Sequence, residues 1–192
     1  MTKQLGAWSL FALAIAVLLT ITDYTAHVRN DVLIYSDPNS GGLLPDQPTL
    51  AVFGGFVVIG AVCAIAGRLL FGGRALARPS TPTVLTSLVL FLVLYNLTGV
   101  LDGNPMLLYA ILMLVWLPHL SLSGLPLNRI VLLSVLLGVS GPVAEGIRAS
   151  DGFFRYVDVD AFHVPLWLSP LYFNGAVTVG LLSAALAARL RR

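Results

Sequence analysis

The sequence predicts an all-α integral membrane protein built from six membrane-spanning helices. Three observations carry that prediction. The chain is 57% hydrophobic and only 10% charged, whereas an ordinary soluble domain is about 25% charged. Its apolar residues gather into six runs, each near the ~20 residues needed to cross a hydrocarbon core of ~30 Å. Lysine and arginine fall mainly in alternate connections between those runs. Nothing in 192 residues is left over for a soluble catalytic domain, so residues 1–192 read as one transmembrane domain.

The first span, 4–22, follows Lys3. A basic residue before an apolar run also opens a secretory signal, but no small-x-small cleavage pattern follows before Asp23, so the segment reads as a retained helix. The loop 23–46 carries the turn-forming tract Asp-Pro-Asn-Ser-Gly-Gly at 37–42 and is expected to be irregular. The second span, 48–71, holds Cys63, the single cysteine of the chain, which can form no intrachain disulfide and reads as a small packing residue.

A short basic link with Arg74 and Arg78, suited to anionic headgroups, leads to the third span, 80–101. Asp102-Gly103-Asn104-Pro105 is a tight turn whose proline suits the first turn of the next helix. The third span and the fourth, 104–123, are therefore expected to be antiparallel neighbours. The fifth span, 129–148, has the shortest uncharged run and needs Glu145 and Arg148 to complete its outer turn, where an i,i+3 ion pair is expected. In the loop 150–163, Phe153, Phe154 and Tyr156, with Trp167 just beyond, suit an interfacial aromatic belt. The last span, 164–188, carries Ala176, Gly180, Ala184 and Ala188 at every fourth position, a stripe of small side chains on which another helix can pack closely.

Charge sets the topology. With the N-terminus inside, Lys3, Arg68, Arg74, Arg78, Arg129, Arg189, Arg191 and Arg192 fall on the inner side, against Arg29, Arg148 and Arg155 outside, where all nine acids also lie. The Lys/Arg bias places both termini in the cytoplasm.

Several constellations carry chemistry. Gly138-Val139-Ser140-Gly141 copies the Gly-x-Ser-Gly of rhomboid-type intramembrane proteases, and a hydrolase would need His163 as its base. Asp151, Asp158, Asp160 and His163, joined by Asp31 or Asp37, could hold a cation, although their spacing matches no recognised site. No span carries a charge near mid-membrane, which argues against a coupled transporter. What remains are uncharged polar groups of the third and sixth spans: Tyr95, Asn96, Thr98, Asn174 and Thr178. Groups this deep need partners, either across helices or in an apolar pocket with a few convergent donors and acceptors.

The stretch Trp167-Leu-Ser-Pro-Leu-Tyr-Phe-Asn-Gly-Ala-Val-Thr-Val-Gly180 resembles the final-helix pattern of the Insig family, the insulin-induced gene proteins that act as membrane sterol sensors, with Phe173, Gly175, Thr178 and Gly180 in register. Residues 95–105 resemble that family's junction of the third and fourth helices, and residues 116–124 resemble the cytoplasmic end of its fourth. The resemblance implies an Insig-like six-helix fold with both termini cytoplasmic. It also implies a core that binds a sterol-like or diacylglycerol-like lipid, with Tyr95, Asn96, Thr98, Phe173, Asn174 and Thr178 as lipid-binding residues. Where the family has an Asp before Ser-x-Ser-Gly that binds sterol-sensing-domain partners, this chain has His119, so that partner is not carried over. The Arg-rich composition and the missing cytoplasmic tails suggest a bacterial relative in the cytoplasmic membrane. The expected protein is a multi-pass, lipid-binding homo-oligomer with no cofactor, metal, catalytic residue or nucleic-acid partner.

Overall fold

The computed structural model describes residues 2–38, 41–72 and 78–191. Arg74 of the basic link, Asn39 and Ser40 of the turn tract, and Arg192 lie outside the described residues. Each apolar run closes into a helix because backbone polar groups in hydrocarbon must be satisfied within the segment. The helices are α1 (Thr2–Asp23), α2 (Thr49–Phe71), α3 (Thr81–Val100), α4 (Pro105–Leu122), α5 (Leu127–Ser150) and α6 (Leu168–Leu190). All six are long and apolar enough to cross a membrane, and the chain is a multi-pass membrane protein.

Local chemistry sets the helix ends. Ser80 accepts a hydrogen bond from the Thr83 amide at 3.2 Å, and Pro82 occupies the first turn of α3. Pro105 opens α4. α1 runs past the expected end at residue 22 through a π-helical turn, Tyr24–Val28, giving a continuous span Gln4–Val28. The side-chain amide of Asn30 closes that turn, donating to Thr25 O at 3.1 Å and Ala26 O at 2.9 Å. α6 starts at Leu168 rather than 164. Residues 161–164 form a hydrogen-bonded turn, and the Asp160 carboxylate accepts from the Leu166 amide at 2.7 Å.

α6 is the hub. In its most apolar stretch 67% of α6 is buried, against 22–33% in the other five helices. It packs on α2, α3, α4 and α5, while α1 packs chiefly on α2. α3 and α4, expected to be neighbours, touch α6 more than each other. Small residues permit this crowding. A Cβ on Gly180 would sit 2.8 Å from Ile130 Cδ1 and 3.0 Å from Leu125 Cδ1, and Ala176, Ala184 and Ala188 on the same stripe are buried. On the α2 side, a Cβ on Gly67 would collide with the Ser183 hydroxyl.

The loop 23–46 is regular in part: it holds the π-helical turn and a short strand, while its described residues 36–38 and 41–46 are chiefly bends and turns. β1 (Leu33–Tyr35) and β2 (Phe154–Tyr156) pair antiparallel, with Leu33 opposite Tyr156 and Tyr35 opposite Phe154. The two-residue alternation turns Leu33, Tyr35, Phe154 and Tyr156 inward, leaving Ile34 and Arg155 outside. The expected aromatic belt is therefore an internal cluster: Phe154, Tyr156 and Trp167 are buried, and Trp167 Nε1 donates to Asp102 at 2.9 Å.

Candidate functional site: a cavity between α2 and α5

α2 and α5 touch at few points. Between them lies a cavity of about 430 Å³, walled by Val52, Phe56 and Ile59 of α2 and by Leu137, Ser140 and Glu145 of α5. Tyr95 and Tyr172 also line it, as do Leu33, Tyr35 and Phe154 of the ribbon and the adjoining Phe153. A narrower hollow of about 80 Å³ continues from it past Ile15, Leu19, Phe91, Gly175 and Thr178. The two share Phe56, Ile59, Tyr95, Leu137, Glu145 and Tyr172. Val58 and Val62 on one rim and Ala144 on the other are exposed, so the mouth faces sideways into the hydrocarbon layer.

The charged side chains of the cavity gather toward the ribbon, whose Tyr35 and Tyr156 bond Asp23 and Glu145. Half-buried Glu145 accepts hydrogen bonds from the hydroxyls of Tyr156 and Tyr172. It makes no ion pair with Arg148, contrary to the sequence expectation. The two tyrosines satisfy Glu145, and the Arg148 guanidinium lies 4.2 Å over the Phe153 ring. Buried Asp23 faces His27 Nδ1 at 3.2 Å and accepts from Tyr35 and Gln47, both at 3.0 Å. Burial first, and the charge of Asp23 next, hold the Tyr35 hydroxyl well above its ordinary pKa. Burial and then Glu145 do the same for Tyr156, so both remain neutral donors.

Tyr95 differs from its neighbours. Its ring stacks on His27 at 4.9 Å between centroids and is only 8% exposed. Its hydroxyl group belongs to a residue lining both parts of the cavity and has no hydrogen-bond partner among the described residues.

The other expected lipid-binding residues do not converge here. Thr98 is fully buried, lies 2.9 Å from His27 Nε2 and donates to Tyr95 O at 2.6 Å. Asn174 donates to Leu112 O at 2.9 Å and Pro170 O at 3.0 Å, and its Oδ1 lies 3.2 Å from His119 Nδ1. His119 Nε2 lies 2.8 Å from Ser87 Oγ, which is 2.9 Å from Thr178 Oγ1. Thr178 lines the narrow hollow, but its hydroxyl is engaged with Ser87. Asn96 is exposed and bonded to Leu92 O, while Phe173 rests on Trp116 at 5.1 Å between centroids.

Asp23, Tyr35, Glu145 and Tyr172 escape sequence reasoning. The i,i+4 spacing of Asp23 and His27 at the end of an apolar run is the one local signal for them. His119 is buried and turned into the bundle. Ser140 is exposed on α5, and no hydrogen bond joins it to His163 among the described residues, so the hydrolase pair is not assembled. No group of three or more His, Cys, Asp or Glu among the described residues could hold a metal ion.

Six spans around a central α6, with an apolar cavity opening sideways, define a multi-pass helical membrane protein with an internal cleft. Its fold is that of MvINS, a mycobacterial Insig homologue from Mycobacterium vanbaalenii. The two match with a TM-score of 0.82 and 21% sequence identity, over 96% of this chain and 95% of that one. A cross-linked trimer of an MvINS variant matches equally well. The resemblance drawn from residues 167–180 is thus borne out as an Insig-like fold. No protein-family model matches the sequence, and no curated protein does.

Proposed function

We propose that this protein binds one lipid of sterol-like or diacylglycerol-like character in the cavity between α2 and α5, and that occupancy is its signal. The observation that carries this reading is the Tyr95 hydroxyl, unpartnered among the described residues and facing an apolar space open to the bilayer. A hydroxyl that opens onto an apolar space finds no bond there, and the head of an uncharged amphiphile can supply one while its tail fills the apolar part. Because α2 and α5 barely touch, a ligand that bridges them favours one spacing of the two helices. It shifts the protein toward that packing by its differential affinity. Of the six residues expected to bind lipid, Tyr95 is retained as the polar contact. Thr98, Asn174 and Thr178 are assigned to holding helices together.

By analogy with the cross-linked trimer of MvINS, we propose that this chain forms a homo-oligomer, and the Lys/Arg bias supports both termini in the cytoplasm of a bacterial inner membrane. The test is mass spectrometry of lipids retained by the purified, detergent-solubilised protein, paired with Tyr95→Phe. A single co-purifying lipid species and a loss of ~0.5–1.5 kcal/mol of affinity in the variant are expected. Wild-type lipid content and affinity in Tyr95→Phe would move the head elsewhere, and no retained lipid in the wild type would remove the proposal.

A further inference from the structure

The head end of the cavity carries a charge pattern that a neutral lipid alone does not require. Both carboxylate oxygens of Glu145 are occupied by tyrosine hydroxyls, yet no Lys or Arg pairs with it among the described residues. A second carboxylate, Asp23, lines the same cavity and has buried His27 as its one ion-pair partner among the described residues. The one Lys or Arg among the described lining residues, Arg148, is exposed and has its guanidinium over the Phe153 ring. Between these groups the Tyr95 hydroxyl, on a residue 8% exposed, faces the cavity without a partner.

A bilayer makes that pattern consequential. The mouth between Val58 and Ala144 opens to hydrocarbon, where phosphate-headed lipids are abundant and carry tails as apolar as any specific ligand's. Shape and greasiness cannot reject them, so discrimination needs a repulsive element at the head. In its ionised form, accepting from two tyrosine hydroxyls, a carboxylate set into an apolar wall repels an anion more strongly than it would at a wetted surface.

Building on the lipid-binding reading, we propose that Glu145 filters ligands by charge. The cavity takes an amphiphile whose head is a neutral hydroxyl or an ammonium group, and excludes phosphate or carboxylate heads on the same tails. Tyr95 hydrogen-bonds a hydroxyl head, and Glu145 with the half-buried Tyr172 ring receives an ammonium one.

The experiment compares three probes with identical dioleoyl chains, dioleoylglycerol, dioleoyl-trimethylammonium-propane and dioleoyl phosphatidate, on the full-length protein in detergent. Binding is read by native mass spectrometry and by competition. The first two are expected to bind, and the phosphatidate to bind at least about tenfold more weakly. Glu145→Gln, which keeps the shape and one acceptor oxygen, puts an NH2 donor where the second oxygen stood and removes the charge, is expected to narrow that ratio severalfold. Equal binding of all three by the wild type overturns the filter and leaves lipid binding intact. An unchanged ratio in a folded Glu145→Gln also overturns it. If none of the three binds, lipid binding and the filter fall together. The wild-type ratio decides without any variant, should Glu145→Gln misfold.

Discussion

The imidazole of His119 and the carboxamide of Asn174 meet 3.2 Å apart in the buried seam between α4 and α6. Ser87 extends the link to α3, 2.8 Å from the other imidazole nitrogen, and Thr178 returns it to α6. Three helices are joined by side chains whose polar atoms are turned away from hydrocarbon.

Asn174→Leu removes two backbone contacts and the His119 contact at once, leaving the Leu112 carbonyl and the imidazole short of partners. A stability loss of ~1–3 kcal/mol is expected from thermal unfolding in detergent, with lipid retained per folded molecule unchanged. Loss of lipid without loss of stability would return Asn174 to the binding site.

Gly99→Ala should destabilise the protein by ~1–3 kcal/mol, because the added methyl overlaps the carbonyl oxygen of Ala26 in the π-helical turn, and backbone yields poorly. Gly180→Leu should cost at least as much where α6 meets Ile130 and Leu125. Gly54→Ala, with nothing within 4 Å of its new methyl, is the control. Equal unfolding temperatures for all three would mean that these helices do not approach as described.

Single cysteines at Leu43, Arg78 and Ser150 in a Cys63→Ala background report the topology. An impermeant thiol reagent added to intact spheroplasts is expected to label positions 43 and 150 and to spare 78, following the Lys/Arg bias. Labelling at 78 alone would invert the chain in the membrane.

Asp102 in the turn between α3 and α4 is held above its ordinary pKa by burial, which outweighs the opposing bond from Trp167. The fold thus binds this proton more tightly than the unfolded chain does. The stability that follows is complete below the unfolded pKa and is lost as pH rises through the folded one. Asp102→Asn keeps an acceptor for Trp167 and discards the charge. It should raise the unfolding temperature at neutral pH, with the gain shrinking as pH falls toward about 4 and gone below it. A gain that grows on acidification would contradict the assignment.

The spans were readable because each is an apolar run of membrane length, a one-dimensional property. Tyr95, Thr98, Asn174 and Thr178 read as interior from their depth, and all four are buried. Their partners were not readable. Ser87 is an unremarked serine in an apolar run until α4 and α6 bring His119 and Thr178 to it. Asp23 reads as an outer-loop charge because nothing near it in the chain announces Tyr35 and Gln47 as donors. Glu145 reads as the partner of Arg148, one turn away. Its tyrosines come from β2 and from α6, which only the folded chain assembles. Phe153, Phe154 and Tyr156 have the composition of an interfacial belt. Pairing of β2 with β1 turns Phe154 and Tyr156 inward instead.

On the proposed lipid-binding reading, that ribbon decides how the cavity is supplied. Tyr35 and Phe154 line its ribbon end, while its open flank faces acyl chains. A molecule dissolved in water meets the covered side, and a molecule dissolved in the bilayer meets the gap. Occupancy then follows the mole fraction of the ligand among neighbouring lipids rather than its molarity in solution. Diluting the sample with buffer would leave the bound fraction unchanged, whereas diluting the ligand with more phospholipid at constant volume would empty the cleft.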